Sequence, residues 1–150
     1  MPGQRIEVAA GLIFRHGRLL VAQRRAEDHL GGTWEFPGGK REAGESFEMC
    51  LARELREELG VEVQVGELVE TVDHDYPEKQ VHLRFFLCRI LHGDPQPLGC
   101  AALAWITPEE MAHYPFPPAD ARLLEKLRAQ QEWWQAGPSD DACPPPQARA

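Results

Sequence analysis

Three glutamates, Glu54, Glu57 and Glu58, crowd into one short stretch of this chain, downstream of a glycine-rich segment holding Gly38, Gly39 and Gly44. The residues between Ser46 and Gly60 predict a helix: serine is a favoured N-cap and glycine a favoured C-terminal stop. Phe47, Leu51, Leu55 and Leu59 recur every fourth residue and form an apolar stripe for docking on a core. At about 100° per residue, Glu54 and Glu58 lie within roughly 40° of each other, and Glu57 falls on the same flank of that stripe. Carboxylates converging beside a buried face offer hard oxygen ligands, which suit Mg²⁺ or Mn²⁺ shared with substrate phosphates. The same residues also admit a plainer account, a solvated helix face laced by i,i+4 pairs such as Arg53 with Glu57.

The wider spacing separates these accounts. Gly39, Glu45, Arg53-Glu54-Leu55, Glu57-Glu58 and Gly60-Val61 stand at the offsets G-x5-E-x7-R-E-L-x-E-E-x-G-V, which resembles the Nudix box at every fixed position. Trp34-Glu35-Phe36-Pro37-Gly38-Gly39-Lys40 and Phe116-Pro117-Pro118-Ala119-Asp120 resemble the corresponding runs of MutT-type Nudix enzymes, and Asp75-Tyr76-Pro77-Glu78-Lys79 is similar to their acidic-basic loop. The resemblance covers residues 8–128 and favours the metal site over the solvated face.

The resemblance implies a Nudix fold, an α/β/α sandwich with a mixed β-sheet. It also implies hydrolysis of a nucleoside triphosphate to the monophosphate and pyrophosphate, with Mg²⁺ (Mn²⁺ possible) as cofactor. The implied metal ligands are Glu54, Glu57, Glu58 and the backbone carbonyl of Gly38. The implied catalytic set is Arg53, Glu54 and Glu57: Glu54 or a neighbouring carboxylate is the general base, and Arg53 orients Glu54. Glu45 supports the loop or binds a further ion, and Lys40 reaches a phosphate. The nucleobase is expected among Arg24, His29, Phe36, Glu78, Lys79 and Asp120. Relatives often carry another acidic residue before the Trp105 strand, but residues 95–108 hold none here, which puts the base role on the box helix. For Asp120 two roles stand open, reading the base or capping the last helix, and for Arg24 base contact or a surface ion pair. The leading substrate is 8-oxo-dGTP, a role in cleansing the nucleotide pool. The alternatives are CTP or a modified dCTP, and, in a different class, a non-catalytic nucleotide-binding module. Modules of that kind usually lose box carboxylates, all of which are present here.

The elements that must carry these residues follow from patterning. Residues 6–14 and 19–24 read as a hairpin about His16-Gly17, and residues 34–36 as a short strand entering the Pro37-Gly38-Gly39 turn. Residues 61–65 and 68–75 read as two strands. Residues 80–91 alternate, with Val81, Leu83, Phe85 and Leu87 on one side and His82, Arg84 and Phe86 on the other. Residues 103–106 predict a strand, Thr107 and Pro108 open a helix, and residues 118–134 predict a terminal helix. A chain of 150 residues with 43% hydrophobic content fits one domain over 1–136. The proline-rich stretch 137–150 reads as a disordered tail.

Composition narrows the partners. A net charge of −8 argues against a polynucleotide, yet not against a nucleotide, because divalent cations supply local positive charge. No apolar run or basic-hydrophobic leader predicts membrane insertion or export. The four cysteines are widely spaced and read as reduced thiols of a cytoplasmic protein. Monomer and dimer are both compatible with the sequence. Neither His82 nor His113 has a second candidate ligand nearby in sequence.

Overall fold

The alternation of apolar residues along the first strand gives the sheet two buried faces. The structure, a computed structural model, describes residues 4–135. Strand β1 (Gln4–Arg15) sends Ala9 and Ile13 to one face and Ala10, Leu12 and Phe14 to the other. Because side chains alternate with period two, both sets are buried only if something covers each face. Helix α1 (Phe47–Leu59) covers the first with Phe47, Leu51, Leu55 and Leu59. The second is covered by Met111 of a 3₁₀ turn (Glu109–His113), Leu123 and Leu127 of α2 (Ala121–Ala129), and Trp134 of α3 (Gln131–Gln135). The α/β/α sandwich expected from the sequence is the architecture found.

Strand β1 is also the organiser of the sheet. It runs parallel to β6 (Lys79–His92), and every other pairing is antiparallel. On its opposite edge β1 pairs first with β4 (Gly38–Lys40) and then with β2 (Arg18–Gln23), through the hairpin read at His16-Gly17. β2 in turn takes β3 (Trp34–Glu35) and β7 (Ala102–Ile106), while β5 (Glu62–Tyr76) closes the far edge against β6. The two-sided pattern of β6 is realised: Leu83, Phe85 and Leu87 join the α2 side, and Phe86 the α1 side.

Three sequence readings change. The strands expected at 61–65 and 68–75 are one long strand with register shifts at Val65/Leu68 and Leu68/Glu70. The polar Gly66-Glu67 pair that suggested a break is absorbed by bulges, which leave pairing intact on either side. The terminal helix expected over 118–134 is divided into a 3₁₀ turn (Pro118–Asp120), α2 and α3, with Gln130 (φ −100°, ψ 72°) between the two helices. The Trp134 indole N–H donates to the Leu127 carbonyl across that bend (3.0 Å), giving a terminal carbonyl of α2 a partner. Thr107 and Glu110 do form a reciprocal cap, but on a 3₁₀ turn instead of an α-helix. Cys50, Cys88 and Cys100 are buried and free, and burial pushes the Cys88 thiol up to about 12. The expected tail, with Cys143, lies outside the described residues. Among those described, no helix is long and apolar enough to cross a membrane.

The ends of α1 are set as its sequence predicts. Ser46 accepts from the Met49 amide (3.0 Å), and Gly60 closes the helix at φ 75°, its N–H reaching the Arg56 carbonyl (3.0 Å). Ser46→Ala is expected to cost about 1 kcal/mol, roughly 2–4 °C in Tm for a domain of this size, whereas Ser46→Asp, which keeps an acceptor, should not. Thermal melts of the two variants check this; an unchanged Tm for Ser46→Ala would show that the cap contributes nothing.

Candidate active site

The loop from β4 to α1 and the middle of α1 are tied together by one side chain. Arg53 Nε donates to Glu45 Oε2 (2.6 Å), Nη1 to Glu54 Oε2 (3.1 Å) and Glu57 Oε1 (3.2 Å), and Nη2 to the Lys40 carbonyl (3.1 Å). Each bond is charge-assisted or closes the loop backbone, so the guanidinium fixes the loop against the helix. The hydrogen bond from Arg53 and the Glu42 amide hold the Glu45 carboxyl down at about 2. Glu45 therefore supports the loop.

Glycine brings the backbone onto the carboxylates. A Cβ on Gly39 would stand 2.1 Å from the Glu54 carboxyl carbon, and one on Gly38 would stand 2.0 Å from the Ala9 carbonyl oxygen. Only glycine allows β4 to lie this close to both β1 and the helix. Glu54 and Glu58 then face Gly38 and Gly39 across one end of a cavity of about 710 Å³. Burial raises the Glu54 carboxyl, against the pull of Arg53, and burial with the nearby charges of Glu35 and Glu54 pushes Glu58 up to about 8. Glu58 Oε1 is buried with no hydrogen-bond partner. An orphaned carboxylate oxygen beside a second carboxylate is what a hard divalent cation would satisfy, so the donor set fits one.

The cavity continues away from this end toward the α2 side of the sheet, over β1 and β6 to Asp120. Arg24, His29, Phe36, Lys40, Lys79 and Asp120 all line it. Asp120 is 5% exposed, makes no capping bond to α2, and is pushed up to about 7 by burial and by the Glu35 carboxylate. Of its two open roles, the helix cap is therefore not the one its side chain takes. Arg24 donates from Nε to the His29 carbonyl (2.6 Å) and from Nη1 to Glu35 Oε1 (2.6 Å). Its pair is half-buried and lines the cavity, instead of lying on open surface. The Phe36 ring stacks on Phe116 (5.2 Å, 13°) and meets Phe85 edge-on, which makes it a fixed floor. His29 and Tyr76 touch edge to face across the mouth (5.1 Å), with the Lys79 ammonium over the Tyr76 ring.

Two expected positions are not brought in. Glu57, expected to converge with Glu54 and Glu58, is drawn along the helix surface by Arg53, stays 59% exposed and does not line the cavity. Among the described residues no three acidic, histidine or cysteine side chains already stand at coordinating distance. Glu78 sits exposed in the turn between β5 and β6 and does not line the cavity, although Tyr76 and Lys79 beside it do. His82 is bonded to Asp73 (2.8 Å) and accepts from Arg84 (3.1 Å), a structural histidine on the opposite face.

Glu35 is the group sequence reasoning missed. It lies between the acidic end and Asp120, raising the carboxyls of both Glu58 and Asp120, and its own carboxyl is raised by burial against the opposing pull of Arg24. The only signal was a charged residue in a strand otherwise made of aromatics. Tyr76 and Cys100 also line the cavity without having been singled out.

Comparison with known proteins agrees with this geometry. A family profile described as the NUDIX domain matches residues 9–126. The CTP pyrophosphohydrolase of Escherichia coli (strain K12) is 45% identical over 124 residues, covering 83% of this chain and 92% of that protein. The 8-oxo-dGTP diphosphatase of the same strain is 32% identical over 126 residues, covering 83% and 98%. The solution structure of the E. coli ORF135 protein superposes with a TM-score of 0.74 at 42% identity, covering 89% of this chain and 96% of that one. With Gly39, Glu54 and Glu58 of the box at one end of the cavity and the profile spanning residues 9–126, the chain belongs to the Nudix family of hydrolases.

Proposed function

We propose that this chain hydrolyses nucleoside triphosphates to monophosphate and pyrophosphate with Mg²⁺, and that 8-oxo-dGTP is its leading substrate. The observation that carries the reading is the shape of the cavity. An acidic end with an unsatisfied Glu58 oxygen suits a cation-bound phosphate chain, and a buried end closed by Asp120 and Glu35 suits a base rich in N–H donors. A second reading, CTP, is favoured by the 45% identity to a CTP pyrophosphohydrolase, since a carboxylate also accepts from the cytosine amine. Action in the cytoplasm fits a freely diffusing nucleotide substrate.

In this reading Glu54, Glu57, Glu58 and the Gly38 carbonyl would hold the ion, Glu57 only if released from its pair with Arg53. Such an ion would neutralise charge on phosphate oxygens and make a bound water more acidic. Glu54 accepts the proton as the water oxygen bonds to phosphorus and the phosphoanhydride bond breaks, the electron pair leaving on the departing phosphate oxygen. Burial raises Glu54 toward the range useful for a base, while Arg53 keeps one of its oxygens engaged and so fixes the other toward the cavity. Lys40 presents an ammonium to the phosphates from the cavity rim.

A panel of triphosphates assayed for pyrophosphate release is expected to rank 8-oxo-dGTP first, with activity lost in chelator and restored by Mg²⁺ or Mn²⁺. Glu54→Gln should lower kcat by about 10²–10⁴-fold with the fold intact. Orthophosphate as the sole product, or near wild-type turnover of Glu54→Gln, would contradict the reading.

Protonation gives a second expectation. Asp120 and Glu58 titrate at about 7 and about 8 in the folded chain, against ordinary values of 3.8 and 4.5. Between those limits the folded chain binds more protons than the unfolded one, so stability falls as pH rises. Glu45, held at about 2, acts oppositely: its contribution is lost as pH falls below 4.5. In chelator, Tm should therefore peak near pH ~4–5 and decline toward pH ~8, and Mg²⁺ or Glu58→Gln should flatten the decline. Differential scanning fluorimetry across pH checks this; a flat profile above pH ~5 in chelator contradicts it.

A further inference from the structure

Glu70 is a buried carboxylate (7% exposed) on the α2 side of β5, outside the cavity and unused by the mechanism above. The register shift between Leu68 and Glu70 turns it under α2, as a bulge re-aims a side chain. Arg122 Nε reaches Glu70 Oε2 (2.6 Å) and Lys126 Nζ reaches Oε1 (2.6 Å). The same two cations grip the carbonyls on either side: Arg122 the Thr71 oxygen (3.0 Å) and Lys126 the Val69 oxygen (2.8 Å). Burial pushes the Glu70 carboxyl up, but Lys126 and Arg122 more than offset it and hold the group ionised.

The four contacts meet the strand at three successive residues and come from two residues spaced i,i+4 on one helix face. Leu123 and Leu127 alone would let α2 slide along the apolar sheet, because hydrophobic contact is non-directional. Directional bonds to a buried charge and its flanking carbonyls do not permit that sliding. What they fix is the position of the residues just before α2, the Pro118–Asp120 turn that closes the buried end of the cavity.

We propose that Glu70, clamped by Arg122 and Lys126, is a specificity-positioning residue that sets Asp120 against the nucleobase. The inference rests on the reading of Asp120 as a base-contacting group. Breaking the clamp leaves α1, with Glu54 and Glu58, in place, because α1 packs on the opposite face of the sheet from α2. The consequence is loss of base discrimination through KM, with little change in kcat.

The test measures kcat and KM of Asp120→Ala, Glu70→Gln and the full-length wild type, using 8-oxo-dGTP, CTP and dGTP, alongside Tm and amide NMR spectra. Asp120→Ala should collapse the ratio of kcat/KM between the best and worst of these substrates. Glu70→Gln should lower that ratio about five- to fiftyfold, mostly through KM, and shift the amides of Ala119, Asp120 and Ala121 while leaving those of Glu54 and Glu58 in place. If Glu70→Gln yields no folded protein, Lys126→Gln, which alters an exposed partner of the clamp, is read by the same criteria. A Glu70→Gln or Lys126→Gln protein with a lowered Tm but an unchanged ratio overturns the proposal while the base reading stands. An Asp120→Ala protein with an unchanged ratio overturns both.

Discussion

The site depends on a single guanidinium. Arg53 has donors enough to bond Glu45, Glu54, Glu57 and the Lys40 carbonyl at once, and no other side chain has both that number and that planar fan. Without it, three carboxylates on one flank of α1 would repel one another and the loop carrying Lys40 would be free of the helix. With it, repulsion is converted into order: Glu45 is held ionised, Glu54 is oriented, and the loop is pinned where Gly38 and Gly39 can approach. Ser46 and Gly60 set the ends of the same helix, so the caps and the arginine together determine where Glu45, Glu54 and Glu57 point.

Burial then shapes the cavity's electrostatics. Glu58, Glu35 and Asp120 follow one another from the acidic end to the buried end, and each raises the next or is raised by it. Only Glu35 among them has a cationic partner, Arg24. The surplus of carboxyl groups is costly in isolation. In the proposed function a divalent cation at one end and the N–H donors of a base at the other would offset that cost. Arg24 also ties the loop holding His29 to β3, so the mouth of the cavity and its charge balance are governed by the same side chain.

What the sequence made legible was local chemistry with a short reach. The helix between Ser46 and Gly60, the hairpin at His16-Gly17 and the two-sided β6 all follow from caps, turns and periodicity, and all are found. The box carboxylates were legible as a cluster, but a helical wheel gives the direction of a Cβ, not a rotamer, and Arg53 takes Glu57 to the solvent side. Glu78 was out of reach for the same kind of reason: a turn tip can face inward or outward without any change in pattern. The bend at Gln130 carries no glycine or proline to announce it. Glu35 and Glu70 acquire their roles from burial, which arises when β3 pairs with β2 and when a bulge turns β5 under α2. Neither event is written in the neighbouring residues.

In the proposed function a divalent cation at the acidic end would replace a proton on Glu58, whose buried Oε1 has no hydrogen-bond partner. Calorimetric titration of the metal-stripped chain with Mn²⁺, at pH ~6.5 in two buffers of different ionisation enthalpy, counts the protons released per ion bound. Release close to one proton is expected for the wild type, and weaker binding without that release for Glu58→Gln. Binding of equal strength in the two proteins, with no proton released by either, would contradict it.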